Sequence, residues 1–285
     1  MRSNRSEFGP SRLLEILLPA SRLRRLDPLI AQLGYRRELN EWTKPFDIPT
    51  ADIDFLRKFD GYTMTSLERR YHLLESIRYV VRHQLNGAIV ECGVWRGGSV
   101  MLIANALMEL GDFSRRLVLY DTFEGMPPPT SADQDWQRQA ASKRLEAEAA
   151  VKEASAVWAI SGIDEVTRNM ASTGYPMANV DFVKGPVEKT IPSCLPGRIA
   201  LLRLDTDWYE STAHELRHLY PLLAPGGVVI IDDYGYWKGA RRAVDEFLAA
   251  TPDRILLHRI DNTGRAFVKP QTSDGVQDLS IHRPV

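Results

Sequence analysis

Cys92 and Cys194 are the only cysteines in the 285 residues. That scarcity excludes a disulfide framework and a thiolate zinc site, both of which need several cysteines at short spacings. A reducing, cytoplasmic setting is the expectation that follows. Charge of one sign is lacking too: the formal net charge is -1, whereas a nucleic-acid surface requires a marked basic excess. Small molecules are therefore the expected partners, and nucleic acid is not. No apolar run approaches the roughly 20 residues that a transmembrane helix needs. The dinucleotide fingerprint G-x-G-x-x-G is missing, which weakens a nicotinamide oxidoreductase reading.

What is present is the composition of a globular chain, 44% hydrophobic and 26% charged, able to bury one large α/β core with appendages. Residues 1–65 read as an N-terminal helical extension and residues 66–285 as the main domain. In the extension, Leu13-Leu14-Glu15-Ile16-Leu17-Leu18 is interrupted by Glu15 and stopped by Pro19 with no small-residue cleavage pattern behind it, so no secretory signal is expected. Leu23, Leu26, Leu29, Ile30 and Leu33 recur at helical spacing beside Arg22, Arg24 and Arg25. That face is expected to pack on the core or on a second copy of the chain, giving a homo-oligomer. A helix lying on a membrane surface is the competing reading.

Strands are expected at 88–92, 117–121, 180–183, 199–204 and 228–231, with helices over 67–81, 99–110, 211–223 and 238–250 between or before them. This alternation predicts a Rossmann-like, mostly parallel sheet. The segments 254–260 and 265–269 flank the turn-rich Asp261-Asn262-Thr263-Gly264 and predict a closing antiparallel hairpin. Residues 127–178 form an insertion expected to act as a helical lid. Within it, the charged, alanine-rich run from Ser142 to Glu153 reads as a solvated helix.

Two acidic clusters end neighbouring apolar strands. Asp205-Thr206-Asp207 follows Ile199 to Leu204, and Asp232-Asp233 follows Val228 to Ile231. Ligands of open α/β sheets bind beyond the carboxyl ends of the strands, so these carboxylates are expected to converge on a substrate or a metal. Their mutual repulsion demands a cation, a proton or a polar partner. Glycines 93, 97 and 98 let the turn after the first strand approach a ligand closely. Asp121, at the end of the second strand, is placed to accept hydrogen bonds from ribose hydroxyls. Joined to Asp121 and the terminal hairpin, this glycine turn points to S-adenosylmethionine, with Glu91 and Gly93 expected in the pocket beside Asp121.

Four ordered segments carry a resemblance. Glu91-Cys92-Gly93-Val94-Trp95-Arg96-Gly97-Gly98, Tyr120-Asp121-Thr122-Phe123-Glu124-Gly125-Met126-Pro127, Leu202 to Thr212 and Ile231-Asp232-Asp233-Tyr234 resemble successive motifs of the macrocin O-methyltransferase family. The resemblance implies the class I methyltransferase fold, S-adenosylmethionine as cofactor, and magnesium-dependent methylation of a sugar hydroxyl of a natural product. It implies Glu91, Gly93, Trp95, Gly97, Ser99, Asp121, Phe123 and Asp205 on the cofactor, and Asp207, Asp232 and Asp233 on magnesium. Asp207 would take the substrate proton, with Asp205 as the exchangeable alternative. Magnesium held by carboxylates would orient two acceptor oxygens, which favours a vicinal diol. A nicotinamide oxidoreductase and a catalytically silent binding protein of the same fold are the alternatives.

Other residues have plainer readings. His214 and His218 are four apart but lack an H-E-x-x-H context and read as solvated helix histidines. Trp208 and Tyr209 are read equally as pocket lining or as packing between helix and sheet. Ser211 or Thr212 is expected to cap the helix that follows.

Overall fold

The computed structural model describes residues 47–271. The Leu- and Arg-rich face expected to direct oligomerisation lies outside them. The first helix of the described residues, α1 (Thr50–Arg57), belongs by sequence to the extension, yet it sends Phe55 and Leu56 into the core of the sheet. Next, α2 (Leu67–Arg82) opens on Ser66, whose side chain accepts the Arg69 amide, and buries Leu73, Leu74, Ile77 and Val80 along one stripe.

The sheet then builds as expected: β1 (Ala88–Cys92), α3 (Gly98–Glu109), β2 (Leu117–Asp121), β3 (Val180–Lys184), β4 (Ile199–Leu204), β5 (Leu223–Ile231), β6 (His258–Arg259) and β7 (Arg265–Val268). The strand order is β3-β2-β1-β4-β5-β7-β6, parallel from β3 through β5 and antiparallel where β7 pairs with β5 and β6. The expected parallel sheet with a terminal hairpin is present. β5 starts five residues earlier than the apolar run suggests, because Leu223 pairs with Ile199 ahead of the Pro-Gly-Gly stretch.

Side chains alternate between two cores, as the period of two requires. Ile89, Leu117 and Leu119 face α2 and α3, while Val90, Val118 and Tyr120 face the other layer. At Ala200 the register slips against both neighbours, and Ala200 and Leu201 then share one core. The far layer holds α7 (Tyr209–Leu219) and α8 (Lys238–Ala250), numbered after three short insertion and linker helices: α4 (Ala141–Ala147), α5 (Ile163–Ser172) and α6 (Val187–Thr190).

The insertion is not uniform. α5 buries Val166 and Met170 in the main core, whereas α4 joins a satellite cluster of Ala141, Leu145, Trp208, Trp237 and Ala240. The solvated helix expected over 142–153 ends at Ala147, and a 3-10 segment, Ala149–Ala154, follows with a kink inside it at Val151. Among the described residues no helix is long and apolar enough to cross a membrane.

Candidate active site

The chain runs outward from β1 to β2 and β3, then returns to β4 on the other side of β1, which opens a crevice at the carboxyl ends of β1 and β4. A cavity of about 410 Å³ lies there, large enough for a small-molecule site. Glu91, Gly93, Trp95, Ser99, Asp121, Asp205, Asp207, Asp232 and Asp233 all line it.

The glycine turn is fixed by close approach. A side chain at Gly93 would place its Cβ 2.0 Å from the Asp205 carbonyl oxygen, and the Asp205 amide donates to the Cys92 carbonyl at 2.8 Å. Only glycine lets β1 and β4 come this near. Asp121 holds the rest of the turn: one carboxylate oxygen accepts the Val94 and Trp95 amides at 2.6 and 3.1 Å, and the other accepts the Phe123 amide at 2.6 Å. The expected ribose acceptor thus spends most of its capacity on its own loop. Two residues expected on the cofactor do not line the cavity. Gly97 faces Val166 of α5 and supplies the left-handed backbone at the start of α3, and Phe123 is buried in the core beside Phe182.

The acidic centre is organised by arginines. Carboxylate oxygens of Asp205, Asp207 and Asp233 lie within 4.8 Å of one another. Asp232, expected in the same metal set, is instead taken up by Arg69 at 2.5 Å and Arg203 at 3.1 Å. The physical reason is Arg203. It sits one residue before the carboxyl end of β4, 2% exposed, and a guanidinium so deeply buried requires carboxylates around it. It pairs with Glu91, with Asp205 at 2.9 Å and with Asp232. Arg69 bridges from α2 to Asp232 and, at 3.1 Å, to Asp261 in the hairpin turn.

Burial raises the carboxyl pKa values throughout the centre, opposed by Arg203. Asp205 rises to about 6, Asp232 to about 6 and Glu91 to about 8. Asp207 rises to about 7, pushed by burial and pulled back by hydrogen bonding from Asp233, with the charges of Asp205 and Asp232 adding to the rise. Asp233 is raised well above the carboxylate range by burial and then by Asp207. A crevice carboxyl held near neutrality is suited to accept a proton.

Comparison with known proteins gives the same direction. A family model described as Macrocin-O-methyltransferase (TylF) matches residues 47–269. The chain belongs to that family. Macrocin-O-methyltransferase relatives include the 8-demethyl-8-(2,3-dimethoxy-alpha-L-rhamnosyl)-tetracenomycin-C 4'-O-methyltransferase of Streptomyces olivaceus, 36% identical over 72% of this chain and 74% of the relative. Demethyldecarbamoylnovobiocin O-methyltransferase of Streptomyces niveus is 31% identical over 72% and 74%. The solved structure of the O-methyltransferase NovP superposes with a TM-score of 0.62 at 30% identity, covering 74% of this chain and 83% of that one. The chain is thus an O-methyltransferase, as its sequence motifs imply.

Within this methyltransferase several plainer readings also resolve. Trp208 is packing, not cavity wall: it is buried edge-on to Trp237 at 4.9 Å. Tyr209 lies outside the cavity lining, its hydroxyl donating to Glu246 at 2.6 Å. α7 begins two residues before the expected cap, and Ser211 donates to the Trp208 carbonyl instead. His214 stacks on His218 and engages the Ile191 carbonyl at 2.7 Å, so neither is drawn into the acidic centre.

Reading the sequence by strands and motifs misses Arg69, Arg203 and Asp133. Arg203 left a usable signal, as the one charge in an otherwise apolar buried strand. Arg69 and Asp133 left none, since each reaches the site from a distant helix or loop. Arg144 of the insertion also lines the cavity, bound to Asp135 at 2.9 Å and to the Tyr236 hydroxyl at 2.5 Å.

Proposed function

We propose that this O-methyltransferase uses S-adenosylmethionine and magnesium to methylate a sugar hydroxyl of a glycosylated natural product. The observation that carries the reading is the gathering of Asp205, Asp207 and Asp233 in the crevice beside Glu91 and the glycine turn. Three hard carboxylate oxygens at this spacing fit a divalent cation. Glu91 supports the cofactor: it lines the cavity and its Oε2 is buried without a hydrogen-bond partner, suited to the ammonium group of an amino-acid-bearing ligand. Gly93, Trp95, Ser99 and Asp121 complete the cofactor wall. Gly97 and Phe123 shape that wall from behind.

When bound, S-adenosylmethionine supplies an electrophilic methyl group and magnesium supplies Lewis acidity at the acceptor oxygen. The chain's own part is alignment and proton removal. Asp205, Asp207 and Asp233 would hold the cation, and Asp207 would accept the hydroxyl proton. Asp232, held by its two arginines, keeps Arg203 in register with Asp205. The rhamnosyl group in one relative's name supports a sugar-like acceptor with adjacent oxygens.

The test is transfer of tritiated methyl from S-adenosylmethionine to a panel of rhamnosylated aromatic polyketides, with magnesium or EDTA, beside calorimetry with S-adenosylhomocysteine. Label should enter a rhamnoside only with magnesium present. Undiminished transfer by exhaustively chelated protein would overturn the metal, and absence of S-adenosylhomocysteine binding would overturn the cofactor.

A further inference from the structure

Asp207 sits in a strained turn. Its φ is +68°, and the Trp208 amide donates to the Thr206 carbonyl at 2.7 Å across it, a γ-turn with a left-handed central residue. Such turns are rare in L-residues and persist only where the surroundings hold them. The surroundings here are the insertion. Trp208 Nε1 donates to the Pro127 carbonyl at 2.9 Å, and the Tyr209 amide, first in α7, donates to Asp133 Oδ1 at 2.8 Å.

Asp133 is built for this contact. It is fully buried, and its other oxygen accepts the Thr130 amide at 2.7 Å and the Thr130 hydroxyl at 2.9 Å. Gly239 opposite leaves the room, since a Cβ there would lie 2.1 Å from Asp133 Oδ1. The Lys238 amide bonds to the Gln134 carbonyl at 2.8 Å and fixes the same stretch against the start of α8. The helix cap that the sequence places on Ser211 or Thr212 is therefore supplied by the same chain from more than seventy positions away.

We propose that Asp133 is a positioning residue for Asp207, holding the carboxylate in the active centre by capping α7 across the turn. This deepens the reading of Asp207 as cation ligand and base, and rests on it. Its consequence is that the insertion, seated by Asp133, assembles the acidic centre as well as covering it.

The experiment compares wild type, Asp133→Ala, Asp133→Asn and Trp208→Phe. Mn²⁺ binding is read by electron paramagnetic resonance, S-adenosylhomocysteine binding by calorimetry, and hydrogen exchange over 205–208 against 199–204. Loss of a cap predicts Mn²⁺ binding weaker by roughly five- to tenfold in Asp133→Ala. Beyond the Tyr209 and Thr130 amides that Asp133 accepts directly, exchange should rise over 205–208 and not over 199–204, with S-adenosylhomocysteine affinity within about twofold of wild type. Asp133→Asn retains an oxygen for the Tyr209 amide and should restore most of the loss. Trp208→Phe, which removes the Pro127 tether and part of the packing on Trp237 while leaving Asp133 in place, should loosen the same turn more mildly and serves if Asp133→Ala does not fold. Unchanged exchange over 205–208 in both variants overturns the proposal, as do equal losses of Mn²⁺ and S-adenosylhomocysteine affinity. If wild type binds no Mn²⁺, the metal reading fails by itself and exchange decides the positioning role.

Discussion

Replacing Arg203 by Met should be the most costly single change in the crevice. The substitution conserves length and apolar contact but removes the cation that Glu91, Asp205 and Asp232 share. Breaking a buried pair from one side typically costs about 3–5 kcal/mol, because the abandoned charge keeps its desolvation penalty. At roughly 2–4 °C per kcal/mol for a domain of this size, the melting temperature should fall by about 6–20 °C at pH 7.5. The loss must also depend on pH. Glu91 has its folded pKa raised to about 8 by burial, despite Arg203, so the folded state holds a proton that the unfolded chain releases near its ordinary value. Stability from this group is therefore complete in acid and declines as pH rises from the unfolded value toward 8. Asp205 and Asp232, which Arg203 holds down to about 6, rise further without it and go on losing stability above pH 6, so the gap between Arg203→Met and wild type should narrow at pH 5. Adding Glu91→Gln should change the deficit little at pH 7.5, since a carboxyl held at about 8 or above is already largely neutral there. Scanning calorimetry from pH 5 to 8 measures all three proteins. A uniform offset at every pH, or no offset at all, would refute the electrostatic account and leave Arg203 as a packing residue.

Three further outcomes are expected. Gly93→Ala should give insoluble or strongly destabilised protein, because its Cβ would lie 2.0 Å from the Asp205 backbone oxygen; a melting curve matching wild type would contradict that geometry. Asp121→Ala, which frees the Val94, Trp95 and Phe123 amides, should lower both the melting temperature and S-adenosylhomocysteine affinity, and calorimetric affinity unchanged in folded protein would remove Asp121 from the cofactor site. Magnesium should raise the melting temperature relative to EDTA more at pH 8 than at pH 5, since burial has raised Asp205 to about 6 and Asp207 to about 7 and a cation competes with those protons; equal shifts at both pH values would count against the acidic centre as the binding site.

The sheet was readable because its signals are local. Runs such as Val228 to Ile231 are apolar on both faces, the intervening helices carry their own periodicity, and glycine at 93 answers a backbone demand visible within a few residues. The convergence of two acidic clusters followed from those strands alone, since carboxyl ends of parallel strands share one edge. So did the family, whose motifs lie in the strand-end turns. What the sequence could not assign is which carboxylate meets which partner. Asp232 and Asp233 are adjacent, yet one turns to Arg69 and Arg203 and the other to Asp205 and Asp207. That choice depends on Arg69 arriving from α2, a separation of 163 positions. Asp133 likewise has no local mark of its role, and Ser211 has the local mark of a cap without the role. Chain-local propensity fixed the elements and their ends. Pairing of buried charges, which depends on groups brought together only when the layers pack, decided how the centre is wired.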